Sequence, residues 1–334
     1  MLYLKKKISI FAILTCIIAF VIYFVNKVIY YLSTIDNLLH SSGENYYHWR
    51  YGKIYYKVES PANLHSDIHN SENQGEDSPL LLIHDLNAHS SSYEWKKAAQ
   101  LLAKKRKVYT IDLLGCGRSE KPNITYTNFL YVQMINDFIK HVIGEKTDVI
   151  ATGESSSFVV MANAIDNANI GKIIMVNPSS LSELAKIPTK KTKTLKFLLQ
   201  LPLIGTLLFN MLEARNLIEE DFETKYFFDQ YKVEEKMIRT YCEAAHADKL
   251  RSKYLLASIK GRYTKANILP CITRINNSIY IVYGEATPEN ATIAEQYKKA
   301  VPAIETTSIP DTKFLPHMEA AEEFINTIDV FLDE

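Results

Sequence analysis

Ser155 lies in the segment at residues 153–157 (GESSS), whose spacing is typical of a nucleophilic serine on a tight turn. Residues 147–152 form an apolar run that predicts a buried strand, and residues 158–164 predict a helix. Small residues two positions before and after the serine allow the backbone to turn without collision. Such a serine can attack a carbonyl carbon when a base accepts its proton. Ser157 ends the segment, where glycine is usual.

Other apolar runs predict the strands of the sheet that must hold this serine. Helical patterns lie between the runs, for example at residues 93–104 and 131–142. Apolar strands that alternate with helices are typical of an α/β fold with a parallel sheet covered on both faces. A hairpin is predicted at residues 47–59, before the first of these strands. The remaining runs are residues 79–83, 108–112, 172–178 and 278–284.

Three further segments, taken together with the serine turn, resemble the α/β-hydrolase family. They are residues 84–86 (HDL), 112–119 (DLLGCGRS) and 315–324 (LPHMEAAEEF). The resemblance runs from residue 46 to the C-terminus. It implies an α/β-hydrolase fold with a mostly parallel sheet, helices on both faces and a helical cap insertion.

The same resemblance implies how the chain is divided. The core of the fold comprises residues 46–180 and 278–334, and the cap comprises residues 181–277. Within the cap, residues 193–212 are strongly apolar but are interrupted by a proline and a glycine. We expect this stretch to be part of the cap, and a second contact with the membrane is the alternative.

The resemblance also implies a catalytic triad in the chain order serine, acid, histidine. Ser155 stands at the nucleophile position, and the backbone N–H groups of Leu86 and Ser156 would hold the oxyanion. Thr287 stands at the position of the acid, and Phe314 at the position of the histidine. Threonine cannot stabilise an imidazolium by charge, and phenylalanine cannot transfer a proton. The sequence therefore predicts a degenerate triad that has lost its general base.

Two histidines are candidates for a replacement base. His317 lies one helical turn beyond Phe314, and His89 lies on the loop that would form the oxyanion site. The simpler interpretation of His317 is a surface residue of a helix. His84 corresponds to the histidine that braces this loop in the family. Asp85 stands where the family usually has glycine, so we expect the loop to differ in shape.

The composition argues against several functions. The chain has 334 residues, with 38 Lys and Arg against 38 Asp and Glu, so it lacks the basic balance typical of nucleic-acid binding. The four cysteines have neither paired nor metal-ligand spacing, and no glycine-rich phosphate loop is evident, so neither a metal nor a cofactor is predicted. His65 and His69 fall in a polar stretch, residues 60–78, that predicts a surface loop with solvated histidines.

An apolar run near the N-terminus predicts a membrane anchor. Residues 8–25, at about 1.5 Å per residue, approach the roughly 30 Å thickness of the hydrocarbon core. Three lysines at residues 5–7 precede the run, which favours a cytoplasmic N-terminus and a globular domain outside the cytoplasm. No small-x-small cleavage site follows, so we expect an uncleaved, single-pass anchor over residues 1–32 rather than a signal peptide. Residues 33–45 form a polar connector.

Three functions fit these observations. The first is a membrane-anchored, hydrolase-like protein that is weakly active or non-catalytic and binds a small apolar or acyl ligand or a partner. The second is an active serine hydrolase on small acyl esters or amides, with His317 or His89 as its base. The third is a structural envelope protein with a filled pocket. The replaced histidine and acid positions narrowly favour the first function over the second.

Overall fold

The computed structural model describes residues 2–40, 44–61 and 78–333. The interpretation of His65 and His69 as loop histidines falls on residues 62–77, which lie outside the described residues. The described residues form one sheet, whose strands in chain order are β1 (Asn45–Trp49), β2 (Gly52–Glu59), β3 (Leu80–Ile83), β4 (Val108–Ile111), β5 (Thr147–Thr152), β6 (Ile170–Val176), β7 (Ile279–Gly284) and β8 (Glu305–Ile309).

Helices cover this sheet or form the insertion between β6 and β7. In chain order the α-helices are α1 (Leu2–Thr34), α2 (Lys96–Leu102), α3 (Asn128–Phe138), α4 (Ser155–Ile165), α5 (Leu181–Leu184), α6 (Lys190–Gln200), α7 (Ile204–Leu212), α8 (Arg215–Asp221), α9 (Glu235–Leu250), α10 (Lys253–Lys260), α11 (Leu269–Ile272), α12 (Pro288–Ala300), α13 (Pro316–Glu319) and α14 (Ala321–Asp333). Shorter 3₁₀ turns lie at Ser92–Trp95 and Gln230–Lys232, and π-helical turns at Ile139–Ile143 and Phe222–Tyr226.

The strand order in space is β1-β2-β4-β3-β5-β6-β7-β8. Strands β1 and β2 form the predicted antiparallel hairpin, and β2 also runs antiparallel to β4. All the other neighbouring strands are parallel. The α/β-hydrolase fold predicted from the sequence is therefore confirmed. Since the parallel strands end at the same edge of the sheet, the loops that follow them meet there.

Both faces of the sheet are buried, which explains the continuous apolar runs of the central strands. Successive side chains of a strand point to opposite faces. Val149 and Ala151 accordingly join the apolar core beneath α3 and α4, where Phe158 packs. Ile150 joins the core on the other face, which Trp95 and α14 cover. These two cores hold the sheet rigid below the loops at its edge.

The helical insertion, defined here as α5–α11, follows β6 and returns the chain to β7. It has its own apolar cluster, in which the rings of Phe222 and Tyr241 lie 4.8 Å apart. Leu315, from the segment after β8, belongs to the same cluster. The N–H of Leu315 also donates to the carbonyl of Tyr226 at 3.2 Å. The insertion is thereby fixed against the segment that precedes α13.

Helix α1 is attached to this insertion at its C-terminal end. The amide of Asn26 donates to the carbonyl of Leu203 at 3.2 Å and accepts from the amide of Asn210 at 2.8 Å. Beyond the helix, the N–H groups of Leu38 and Leu39 donate to the two carboxylate oxygens of Glu243. The stretch Phe11–Thr34 is long and apolar enough to cross a membrane by length and composition alone.

Candidate active site

The serine turn has the local geometry that its sequence predicts. Strand β5 ends at Thr152, and Ser155 is the first residue of α4. Gly153 between them has φ of +57°, a conformation that side chains with a Cβ rarely adopt. A Cβ at Gly153 would also lie 2.2 Å from a carboxyl oxygen of Asp85. Glycine is therefore required at this position on two separate grounds.

The hydroxyl of Ser155 is fully buried and is already engaged. It donates to the backbone carbonyl of His84 at 2.7 Å. The next two hydroxyls behave in the same way, because Ser156 donates to the carbonyl of Ala151 and Ser157 to that of Glu154. All three serine protons thus point at backbone carbonyls, which are not bases.

Asp85 changes the predicted oxyanion site. The backbone N–H of Glu154 donates to a carboxyl oxygen of Asp85 at 2.9 Å. Burial, together with the nearby carboxyl of Glu94, raises the pKa of Asp85 to about 7, although the backbone N–H groups of Glu154 and Leu86 oppose this shift. The N–H of Leu86, predicted to bind the oxyanion, therefore has the Asp85 carboxyl next to it.

The expected difference in loop shape has a specific cause. Asp85 is not among the described residues with positive φ, so the missing glycine does not strain the backbone. His84 braces the loop as the resemblance implies, since its Nε2 accepts from the N–H of Leu113 at 3.0 Å. Its Nδ1–H then donates to the carbonyl of Asp85 at 2.7 Å. What differs from a glycine loop is the added carboxyl group.

Phe314 lies beside the serine turn. Its Cζ would be 3.0 Å from a Cβ placed on Gly153, and its ring centroid is 5.8 Å from that of Tyr226. Asn177 holds this segment in place, because its amide donates to the carbonyls of Lys313 at 3.1 Å and Phe314 at 2.9 Å. An aromatic ring at this point offers no proton acceptor to the turn.

Thr287 directly precedes α12 and lies three residues after the end of β7. The N–H of Gly284, at the end of β7, donates to the side-chain oxygen of Asn177 at 3.2 Å. The same Asn177 therefore links the strand that leads to Thr287 with the segment that carries Phe314. Thr287 is half-buried, and its hydroxyl does not cap α12.

His317 is fully buried, and its interpretation as a surface histidine is wrong. Its ring stacks on that of Trp95 with centroids 3.9 Å apart. Its Nε2 lies 3.1 Å from one carboxylate oxygen of Glu94, and the other oxygen accepts from the N–H of Asp85 at 3.3 Å. Helix α13 turns this ring toward α2 and the neighbouring 3₁₀ turn, so His317 reaches the loop only through Glu94.

His89 has a carboxylate partner, as the base of a catalytic triad does. Its Nδ1 lies 2.8 Å from a carboxylate oxygen of Glu213, and its Nε2 lies 3.0 Å from the hydroxyl of Tyr226. Burial by itself lowers the pKa of His89, but the Glu213 carboxylate outweighs burial and raises it. The helical insertion thus supplies an acid partner to a histidine of the core.

The model of the Alpha/beta hydrolase family matches residues 80–327. The chain belongs to the α/β-hydrolase family. Its fold is similar to that of the enol-lactonase from Burkholderia xenovorans LB400, with a TM-score of 0.64, 15% identity, and coverage of 87% of this chain and 100% of that one. It is also similar to a membrane phospholipase A described as a bacterial virulence factor, with a TM-score of 0.65, 17% identity, and 98% of both chains covered.

One curated relative of this α/β hydrolase matches locally. It is the 2-hydroxy-6-oxo-6-(2'-aminophenyl)hexa-2,4-dienoic acid hydrolase of Metapseudomonas resinovorans, 36% identical over 67 residues. The match covers 20% of this chain and 23% of that enzyme. A match of this length does not extend to the activity of that enzyme.

The sequence did not identify three acidic groups at the site. They are the Asp85 carboxyl, which accepts from the N–H of Glu154, Glu94, which accepts from the N–H of Asp85, and Glu213 beside His89. The one sequence signal for these groups is Asp85, at a position where the family usually has glycine. It indicates the loop after β3, in which the Asp85 carboxyl lies. Glu94 and Glu213 belong to no motif, and their roles depend on tertiary contacts.

Proposed function

We propose that this member of the α/β-hydrolase family is a membrane-anchored protein whose serine turn does not support efficient acyl transfer. It is weakly active or non-catalytic, and it acts by binding a small apolar or acyl ligand or a partner. The observation that carries this proposal is the Asp85 carboxyl, which accepts from the N–H of Glu154 beside Ser155 and lies next to the N–H of Leu86. The bond from the Ser155 hydroxyl to the carbonyl of His84 supports it.

Typical magnitudes favour the loss of catalysis. Removal of the base of a triad costs on the order of a millionfold in turnover. Removal of one oxyanion donor costs about a hundredfold to a thousandfold. Here Phe314 stands at the position of the base, and the Asp85 carboxyl lies next to an oxyanion donor. A negative charge on Asp85 would also oppose the charge of an oxyanion.

A fluorophosphonate probe tests this proposal on the full-length protein. We expect no covalent labelling of Ser155 above the level of a Ser155→Ala variant, because the buried hydroxyl has no base to activate it. The measurement is in-gel fluorescence, with an intact serine hydrolase as the positive control. Strong labelling that disappears in Ser155→Ala would refute the proposal.

The second candidate function is an active serine hydrolase of small acyl esters or amides. It is favoured by one observation, the ion pair between His89 and Glu213, which resembles the histidine–acid half of a triad. If labelling of Ser155 is observed, His89→Ala and Glu213→Gln should abolish it and His317→Ala should not. Labelling that instead depends on His317 would assign the base to that residue.

Membrane anchoring belongs to the same proposal. Helix α1 supports it by its length and apolar character, as does the likeness to the membrane phospholipase A, which extends over 98% of this chain. The lysines at residues 5–7 favour a domain outside the cytoplasm at the cell membrane. The serine site and the anchor are then parts of one surface-bound protein.

Protease added to intact cells, or to spheroplasts where an outer barrier exists, should digest the globular domain. We expect the N-terminal segment to remain in the membrane fraction. The measurement is immunoblotting for tags at the two ends of the chain, with a cytoplasmic protein as the control for cell integrity. Complete protection of the domain, or a mature chain that begins after Tyr30, would contradict this topology.

A further inference from the structure

Helices α6 and α7 leave large apolar side chains uncovered on the outside of the helical insertion. Phe197 is 62% exposed, Ile204 53% and Met211 61%, which is a high exposure for large apolar side chains. Leu195, Leu198 and Leu212 of the same two helices are 38–42% exposed. A soluble domain rarely leaves a patch of this kind without a partner.

Basic residues accompany these apolar side chains on α6. Lys190, Lys191 and Lys193 are all exposed in its first turns, and Phe197 follows one turn later. Phe197 lies on the same side of α6 as Lys190 and Lys193. Lysines beside an exposed aromatic residue suit a helix in a membrane interface, because the long lysine side chain can reach the headgroups while the ring enters the apolar region. Anionic headgroups would attract these lysines while the apolar side chains enter the acyl region.

The two helices cannot form one transmembrane span. The chain turns by 108° between α6 and the helical stretch Ile204–Tyr226. The ammonium group of Lys253 holds this bend, because it donates to the carbonyl of Leu201 at 3.3 Å and to the hydroxyl of Thr206 at 3.0 Å. Phe209 is buried inside the insertion, so α7 is fixed to the protein. The uncovered side chains can therefore meet a membrane only from its surface.

The position of α1 places this bend at the membrane surface. Asn26 is buried against Leu203, within the bend, whereas Phe24 and Phe20, two and six residues earlier, are 60% and 67% exposed. The apolar part of α1 between the lysines and Asn26, residues 8–25, extends about 27 Å at about 1.5 Å per residue, which is close to a hydrocarbon core of roughly 30 Å. The contact with the insertion thus begins where a spanning α1 would leave the bilayer.

We propose that α6 and the start of α7 lie in the interfacial zone of the bilayer that α1 crosses, on the side of the globular domain, and bind anionic phospholipid. This inference rests on the membrane anchor of the proposed function. The protein then contacts the membrane at two places, through α1 and through the bend. A second membrane contact at residues 193–212 is the alternative given in the sequence analysis. The contact proposed here lies at the bilayer surface and does not span the bilayer.

Environment-sensitive fluorophores at single cysteines test this inference on the full-length protein. Cys16 is exposed and Cys271 half-buried, so both are first replaced by serine; Cys116 and Cys242 are buried. The protein is reconstituted in vesicles of phosphatidylcholine, with and without phosphatidylglycerol. Quenching by lipids that carry a nitroxide on the acyl chain then reports the depth of each fluorophore.

Four positions form a matched set of exposed apolar residues. Phe197→Cys and Ile204→Cys report on the proposed contact, and Ile18→Cys reports on α1. Ile165→Cys is the control, because it lies at the far end of α4, at the opposite edge of the sheet. We expect quenching at positions 197 and 204 to be several-fold stronger than at 165, and to increase with phosphatidylglycerol.

The outcomes separate this inference from the anchor. Quenching at Ile18 without quenching at Phe197 and Ile204 would overturn the surface contact while the anchor stands. No quenching at Ile18 would overturn both. Crosslinking between copies through Phe197→Cys, without quenching by lipid, would assign the patch to a second copy of the chain and overturn the inference.

A variant with Lys190, Lys191 and Lys193 changed to Gln should lose the dependence on phosphatidylglycerol, and unchanged dependence would exclude the lysines as the binding groups.

Discussion

A triple variant, Asp85→Gly with Thr287→Asp and Phe314→His, is expected to hydrolyse short acyl esters up to about a millionfold faster than the unmodified protein. Phe314→His supplies a ring that can accept the proton of Ser155, and Thr287→Asp supplies the charge that orients it. Asp85→Gly removes the carboxyl next to the N–H of Leu86, so that this N–H can bind the oxyanion. Initial rates on p-nitrophenyl esters of short acids measure the effect.

The partial variants show which change matters. With Asp85 retained, the double variant of positions 287 and 314 should be about a hundredfold slower than the triple variant. The reason is that the Asp85 carboxyl remains beside the N–H of Leu86, which would bind the oxyanion. Each single change should stay near background, since the members of a triad act as a unit. Ser155→Ala in the triple variant is the control and should remove the gain. A folded triple variant with no activity would show that Asp85 and Phe314 are not what blocks the site.

The second large effect is the pH dependence of stability that Asp85 causes. Its pKa is about 7 in the folded protein, against an ordinary value of 3.8. Between these values the folded state keeps a proton that the unfolded state has released, so stability falls as pH rises from about 4 to about 7. The full loss corresponds to about 4 kcal/mol, at about 1.4 kcal/mol per pH unit.

Asp85→Asn should remove this loss. The amide oxygen can still accept from the N–H of Glu154, but it cannot ionise. We therefore expect the variant to unfold at higher urea concentration than the unmodified protein at pH 8, and at a similar concentration at pH 4. Asp311→Asn is the matched control, because Asp311 is exposed and its φ of +49° suits asparagine. A free energy of unfolding at pH 8 that does not change with Asp85→Asn would contradict a raised pKa of Asp85.

Much of the fold follows from local pattern. The turn at Ser155 could be predicted because glycine and small residues are needed within a few positions of it, and the strands because both faces of the sheet are buried. The burial of His317 could not be predicted, since a four-residue helix does not reveal which side faces Trp95. His89 and Glu213 are 124 positions apart in the sequence, and no motif spacing predicts a contact over that separation.

The predicted degenerate triad depends on local information in the same way. The assignment of Phe314 to the histidine position follows from the register of the residues after it. The place of the Asp85 carboxyl could not be predicted, because the bond that it accepts from the N–H of Glu154 joins residues 69 positions apart. The sequence indicated an altered loop, and only the contact explains what the alteration does.

The serine turn would be kept in this chain by folding alone. Gly153 has no room for a side chain between Asp85 and Phe314, whatever the site does chemically. The Ser155 hydroxyl fastens α4 to the carbonyl of His84, so that alanine there would leave a buried acceptor without its bond. A serine at a nucleophile turn is therefore compatible with a protein that has no catalytic activity. Its presence is evidence of ancestry and of packing, and only the groups around the hydroxyl are evidence of an enzyme.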